Sequence, residues 1–391
     1  MKTKKNMFYM MLVFAVSYIA FTFPYVLMMP YLQSLGYSGS EQGVIIACGS
    51  LAGMVGQMIF GYLCDKFKTV KKFVYLGMAL LVVFTWVFYY IGGQQFFLHL
   101  ALGTLVQGVW LIMCGLMDSW ALEVDETCTQ NYGSIRAFGA IGWIIGGPIV
   151  SWVVAKFGYQ YMGIALMAFT LLMLLVSYWA PEAQKSESAQ KKELKLSDVA
   201  ELIKNPRYVL VVAIFLCAFL VMQFEGFLSV QKIGLLAGDN SATYTSLKSS
   251  FQAAFELPFF FMGGMLLKKF GYTKLLYVAL IGYLGRVTGT MISADSMQIV
   301  YFSALQLVTF PLLTITSKTM VDEEIPDYLR STGQQVAFSV YNAGAALIAP
   351  LVGGMMLDAL GINRALLVVL GFAVVPIVLL TIYKSMKKVE G

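Results

Sequence analysis

The sequence predicts an all-α membrane protein: twelve transmembrane helices in two pseudo-symmetric six-helix bundles. Three observations lead there. The composition is too apolar for a chain that faces water. Apolar segments of spanning length follow one another from end to end, and the second half of the chain repeats features of the first.

Of 391 residues, 59% are hydrophobic and 12% are charged, against roughly 25% charged in a soluble domain. Lipid must therefore solvate most of the surface. Thirty-six glycines and 14% aromatic residues suit close-packed spans with rings at the membrane interfaces. The cysteines (Cys48, Cys64, Cys114, Cys128 and Cys217) have no paired or metal-ligand spacing and read as free thiols. A single histidine, His99, leaves no basis for a histidine metal centre or His-based catalysis. With no nucleophile–base constellation and no Gly-rich phosphate loop, the chain reads as neither an enzyme nor a cofactor protein. The net charge of +6 sits in short runs between apolar segments, which is not a nucleic-acid footprint. Basic residues at 2–5 precede a stretch of span length with no small-residue cleavage site, so no cleavable signal peptide is expected.

A spanning helix needs about 20 mostly apolar residues. Such segments run over 7–33, 42–64, 72–92, 95–122, 132–156, 159–180, 207–233, 243–267, 273–293, 296–318, 330–357 and 363–383. Nineteen of the 27 Lys and Arg fall before the first segment or after the second, sixth, eighth and twelfth. Lys156, Lys232, Lys248 and Arg364 fall at the opposite ends. This asymmetry puts both termini in the cytoplasm of a multi-pass cell-membrane protein. The polar stretch 181–206 separates an N-terminal bundle, 1–180, from a C-terminal bundle, 207–391. Gly61-Tyr-Leu-Cys-Asp-Lys-Phe-Lys returns in outline as Gly264-Met-Leu-Leu-Lys-Lys-Phe-Gly, 203 residues on; Gly158 returns as Gly361 and Pro148 as Pro350. Two such halves suit a transporter that rocks about a central site, complete as a monomer.

Ionisable residues inside a span mark a pathway or site. Asp118 and Arg136 lie nine residues either side of the turn near Thr127, hence level, roughly 13 Å from it. Glu256 and Arg286 lie fifteen residues either side of Gly271, which gives the second half its own carboxylate–Arg pair. Trp143 is two turns beyond Arg136 on nearly the same face. An indole there can stack on the apolar face of a sugar while charged groups take its hydroxyls. Glu225 is a further candidate, placed nearer the outer end. Asp322, Glu323 and Glu324 with Lys318 read as a solvated inner helix end, and Asp358 as an outer-rim residue. The stripes Gly49/Gly53/Gly56 and Gly139/Gly142/Gly146 read as close helix-packing faces.

These residues resemble a known family. Gly61-x-Leu-Cys-Asp65-Lys66, with Lys71-Lys72, is similar to the loop motif after the second helix of the major facilitator superfamily, though Lys68 stands where that motif usually has Gly. The run Tyr132 to Trp143 resembles the fifth helix of the oligosaccharide–proton symporters, the group typified by lactose permease. Asp118, Phe23-Pro24-Tyr25, Asn205-Pro206-Arg207 and Arg286 resemble other patches of the same group. Glu256-Leu-Pro258 and Leu329 to Gln334 resemble a related branch that includes phenylpropionate and nucleoside permeases. The resemblance implies the major facilitator fold, solute contacts at Asp118, Arg136, Trp143, Phe23 and Tyr25, and a conformational loop at Gly61, Asp65 and Lys66. Gln306 and Thr309 stand where the symporters have the His and Glu tied to coupling. Ala253 stands at their second sugar-specific carboxylate.

The expected function is proton-coupled uptake of a sugar or glycoside, with Glu256, Arg286 and Glu225 as the coupling residues. Its partners would be a small solute, a proton and the lipid bilayer. An aromatic acid held by Arg136 or Arg286, a nucleoside, and drug export remain open alternatives.

Overall fold

A computed structural model of the chain describes residues 2–184 and 201–389. Lys185, Lys191, Lys192 and Lys195, expected in the polar linker, lie outside them. Among the described residues, eleven apolar helical segments are long enough to cross a bilayer. The longest, Pro206–Glu256, is two helices joined at the 3-10 turn Gly238–Asn240, which gives twelve passes.

The first half comprises α1 (Lys2–Tyr25, continued by Met28–Ser34), α2 (Gly39–Phe67), α3 (Lys71–Tyr90), α4 (Phe96–Leu122), α5 (Tyr132–Phe157) and α6 (Met162–Ser177). The second comprises α7 (Pro206–Ala237), α8 (Ser241–Glu256 and Phe259–Phe270) and α9 (Tyr272–Ile292). It ends with α10 (Ser296–Phe302 and Phe310–Glu323), α11 (Arg330–Phe338 and Gly344–Leu360) and α12 (Ile362–Phe372 and Val375–Val389). No strand occurs among the described residues, as lipid demands of a chain whose backbone groups must pair within each span.

The repeat has a backbone counterpart. Gly158 and Gly361 end α5 and α11 with nearly the same dihedrals, φ 87°, ψ 168° and φ 76°, ψ 164°. Both lie where an L side chain would clash. Apolar burial forms two large cores. One gathers side chains of α1–α6, including Phe14, Phe21, Phe88 and Trp120; the other gathers those of α7–α12, including Phe215, Tyr283 and Tyr341. Within the first, the Gly139/Gly142/Gly146 stripe lies on α1: a Cβ at Gly142 would sit 2.2 Å from the Ala15 carbonyl oxygen. Only small residues let two helices approach this closely.

The halves meet tightly at the end that carries the α1–α2 connection. A Cβ at Gly43 would lie 2.2 Å from the Pro350 carbonyl oxygen, and one at Gly354 the same distance from that of Gly39. Asp358, expected at a rim, is exposed and accepts hydrogen bonds from the backbone N–H groups of Gly39 and Ser40, both at 2.8 Å. A carboxylate from the second half thus completes the N-terminus of a helix in the first. Gln33 donates to Gln231 at 2.7 Å, and Gln231 donates to Gln42 at 2.8 Å.

At the opposite end α2 closes with Lys68 in the left-handed region, φ 50°, ψ 38°. Gly61 faces open space, and Asp65 and Lys66 are exposed. Glu182, beyond α6, accepts from the Thr69 hydroxyl (3.0 Å) and the backbone N–H groups of Val70 (3.1 Å) and Lys71 (3.0 Å). Burial pushes the Glu182 carboxyl up, but these bonds outweigh it and hold the group below the usual carboxylate range. Asp322 pairs with Arg330, both reaching solvent, as a solvated helix end requires.

Candidate functional site

Four of the helices around the space between the halves are interrupted, and the interruptions deliver the polar groups. Pro24 sits in α1 just before its break at Val26 and Leu27. Pro258 ends the first part of α8 directly after Glu256, because it brings no N–H for the next helical bond. In α10 a 3-10 stretch, Ser303–Val308, leads to Thr309 and to Pro311 in the restarted helix. In α11 a π-helical turn, Ser339–Ala343, carries Tyr341. Broken helices at mid-membrane are where transporters of this architecture hold solute.

The second half contributes a hydrogen-bonded charge network. Arg286 of α9 donates through Nη2 to Glu225 Oε2 of α7 at 2.5 Å. Through Nη1 it donates to Gln306 Oε1 and, at 3.3 Å, to the Thr309 hydroxyl, both of α10. The Gln306 amide in turn donates to Glu256 Oε1 of α8. Arg286 and Glu225 are both almost wholly buried, so each depends on the other for its charge to be tolerated.

This differs from the expectation at two points. Arg286 pairs with Glu225, and it reaches Glu256 only through the Gln306 amide. Equal distance from a turn fixes depth in the membrane but not the face of the helix. Glu225 lies nearer the outer end of α7, as expected, although the helix runs on past it to Ala237. Gln306 and Thr309, which the sequence offered only as replacements of coupling residues, are members of the network.

The first half contributes an aromatic wall. Tyr25 stacks on Trp110 with centroids 4.0 Å apart. Trp143 stands 5.9 Å from Tyr25 and 6.2 Å from Trp110, and its indole N–H donates to Ser249 of α8 across the seam at 2.7 Å. Below it the Arg136 guanidinium lies 4.5 Å from the Tyr18 ring centroid, a cation–π distance. Asp118 lies in the field of Arg136 and within reach of the Tyr132 hydroxyl. Its Oδ1 is buried without a hydrogen-bond partner among the described residues. Phe23, expected beside Tyr25 as a solute contact, is fully buried and packs on Phe169 of α6, 5.6 Å away. Two residues apart on a helix means about 200° apart, so the two rings cannot face the same space.

Between the walls lies a cavity of about 310 Å³, lined by Tyr25 and Gln107 from the first half and by Glu225, Lys248, Arg286 and Gln306 from the second. Lys248, expected at a loop end, is 4% exposed inside α8. Lys232, expected likewise, is buried too, donating to the Met291 carbonyl at 2.6 Å. The helix begins at Ser241, which carries Lys248 two turns into the protein. Thr245, Lys248, Ser249 and Gln252 all line the cavity. Their i, i+3, i+4, i+7 spacing is a polar stripe visible in the sequence.

Twelve helices in two six-helix halves around a charged and aromatic central cavity define a secondary transporter of the major facilitator class. The family model described as the MFS_1 like family matches residues 5–368, and the chain belongs to that family. It is 20% identical over 362 residues to the lactose permease of Klebsiella oxytoca, covering 84% of this chain and 82% of that protein. It is 24% identical to the maltose permease of Geobacillus stearothermophilus, covering 91% and 88% respectively. Among solved structures, the nucleoside transporter NupG superposes with a TM-score of 0.78 at 16% identity, over 98% of this chain and 99% of that one. The protein is a permease and not an enzyme.

Proposed function

We propose that this permease takes up a sugar or glycoside together with a proton, by alternating access across the cell membrane, with both termini cytoplasmic. The observation that carries this reading is one cavity in which Tyr25, stacked on Trp110 and 5.9 Å from Trp143, shares the lining with Glu225, Arg286 and Gln306, the last of which binds Glu256 behind it. Aromatic faces take the C–H face of a sugar ring, and buried charged groups take its hydroxyls. The lactose and maltose permeases among its relatives support the same substrate class.

In this scheme Trp143, with Asp118 and Arg136 beneath it, positions the solute. Glu256 carries the proton, and Arg286, released from Glu225 or Gln306 as the halves rock, drives it off. The closed contacts at Gly43, Gly354 and Asp358 then belong to the inward-facing state. The bilayer and the solute are the partners the monomer requires.

A thermal-shift screen of purified protein against sugars, glycosides, nucleosides and aromatic acids tests the substrate class. Stabilisation by a sugar or glycoside, lost in Trp143→Ala, is expected. Stabilisation by nucleosides alone would replace the sugar reading, a result the likeness to NupG makes worth including.

A further inference from the structure

The ammonium group of Lys248 is unaccounted for by the protein. Its side chain is 4% exposed and lines the central cavity. Among the described residues no hydrogen bond and no ion pair is made by it. The carboxylate whose field it feels is Glu225, but that group is already engaged by Arg286 at 2.5 Å. Among the described residues, Lys248 is therefore the one charge of the cavity lining left without a counter-charge beside it. One turn away on the same face, Thr245 also lines the cavity, and its hydroxyl is buried without a partner. A helical Thr ordinarily returns its hydroxyl to a carbonyl of the preceding turn; this one does not.

A buried, unpaired cation is strongly unfavourable unless something neutralises it. A ligand does so most simply, and the donors present are those a carboxylate accepts: an ammonium as the counter-ion and a hydroxyl for its second oxygen. We propose that the solute of this permease carries one carboxylate, bound in the central cavity by Lys248 and Thr245, with its ring against the Tyr25–Trp110–Trp143 wall. For a sugar substrate this means a sugar acid or an acidic glycoside. This inference rests on the reading of the cavity as the solute site.

The test compares matched solutes on the purified full-length protein by titration calorimetry: 4-nitrophenyl β-D-glucuronide against the corresponding glucoside, and 3-phenylpropionate against 3-phenylpropanol. The acid of at least one pair is expected to bind about tenfold or more tightly than its neutral counterpart. Lys248→Met should erase that preference and Lys248→Arg retain it. Without ligand, Lys248→Met should melt at or above the wild-type temperature, because it removes an unpaired buried charge. A fall in melting temperature would show that Lys248 is a structural partner and overturn the assignment. Preference for the neutral member of every pair that binds, or an acid preference that survives Lys248→Met, overturns it as well while leaving the cavity as a solute site. Failure of all four solutes to bind overturns this inference, while the sugar reading stands or falls with the wider ligand screen.

Discussion

At Lys68 the chain puts an ordinary side chain at φ 50°, and 203 residues later Gly271 has φ 74°. The two are not equivalent in ψ. Lys68, at ψ 38°, lies in the left-handed well, where an L residue is tolerated at a cost. Gly271, at ψ 156°, lies in a region open essentially to glycine alone. That difference explains how Lys can occupy a position where related loops carry Gly. Lys68→Gly is expected to change stability by no more than about 1 kcal/mol, whereas Gly271→Lys should destabilise by about 1–3 kcal/mol; thermal unfolding of the two variants measures both. At this scale the sequence was partly legible. Asp118, Arg136, Glu256 and Arg286 declared themselves as charges in apolar segments. Gln306 and Thr309 are neutral and carry no such signal, so their place in the network needed three helices in space. Lys248 belongs to a legible polar stripe, but a lysine within a turn or two of a span's end ordinarily serves as an anchor, which masks its burial.

The helices themselves followed from length and apolarity, since a bilayer leaves a backbone few other ways to pair its polar groups. Their interruptions followed less directly. Pro24, Pro258 and Pro311 mark three of the breaks, yet proline in a membrane helix is compatible with a mild kink as well as a full stop. The π-helical turn at Ser339–Ala343 has no proline to announce it. Connections between helices carry their own devices, of which Glu182 at the start of α3 is the clearest. Glu182→Gln should cost about 1 kcal/mol, the usual worth of a helix cap. Because the carboxyl lies below its ordinary range in the folded protein, its contribution is present at neutral pH. It is lost as pH falls through that lowered value. The stability gap between wild type and Glu182→Gln should therefore narrow on acidification below about pH 4. A gap independent of pH would mean that the carboxylate charge plays no part in the cap.

On the scale of the whole molecule, the repeat of glycines and prolines pointed to two halves, and Gly158 and Gly361 adopt matching backbone geometry. What the repeat could not convey is which end of the molecule the halves close. That is decided by backbone approach at Gly43 and Gly354 and by Asp358 on α2, contacts between residues more than 300 positions apart. Gly43→Val places a branched side chain where even a Cβ would lie 2.2 Å from the Pro350 oxygen, and should hold this end open. Spin labels at Ser34 and Leu360 should then report a longer distance distribution than in the wild type. An unchanged distribution would show that this contact does not govern closure.

Proton coupling through Glu256 is the central claim of the mechanism, and transport in proteoliposomes tests it most directly. With the solute found in the ligand screen, Glu256→Gln is expected to abolish accumulation driven by an imposed proton gradient while leaving exchange of internal for external solute intact. Loss of both activities, or of neither, would contradict the role given to Glu256.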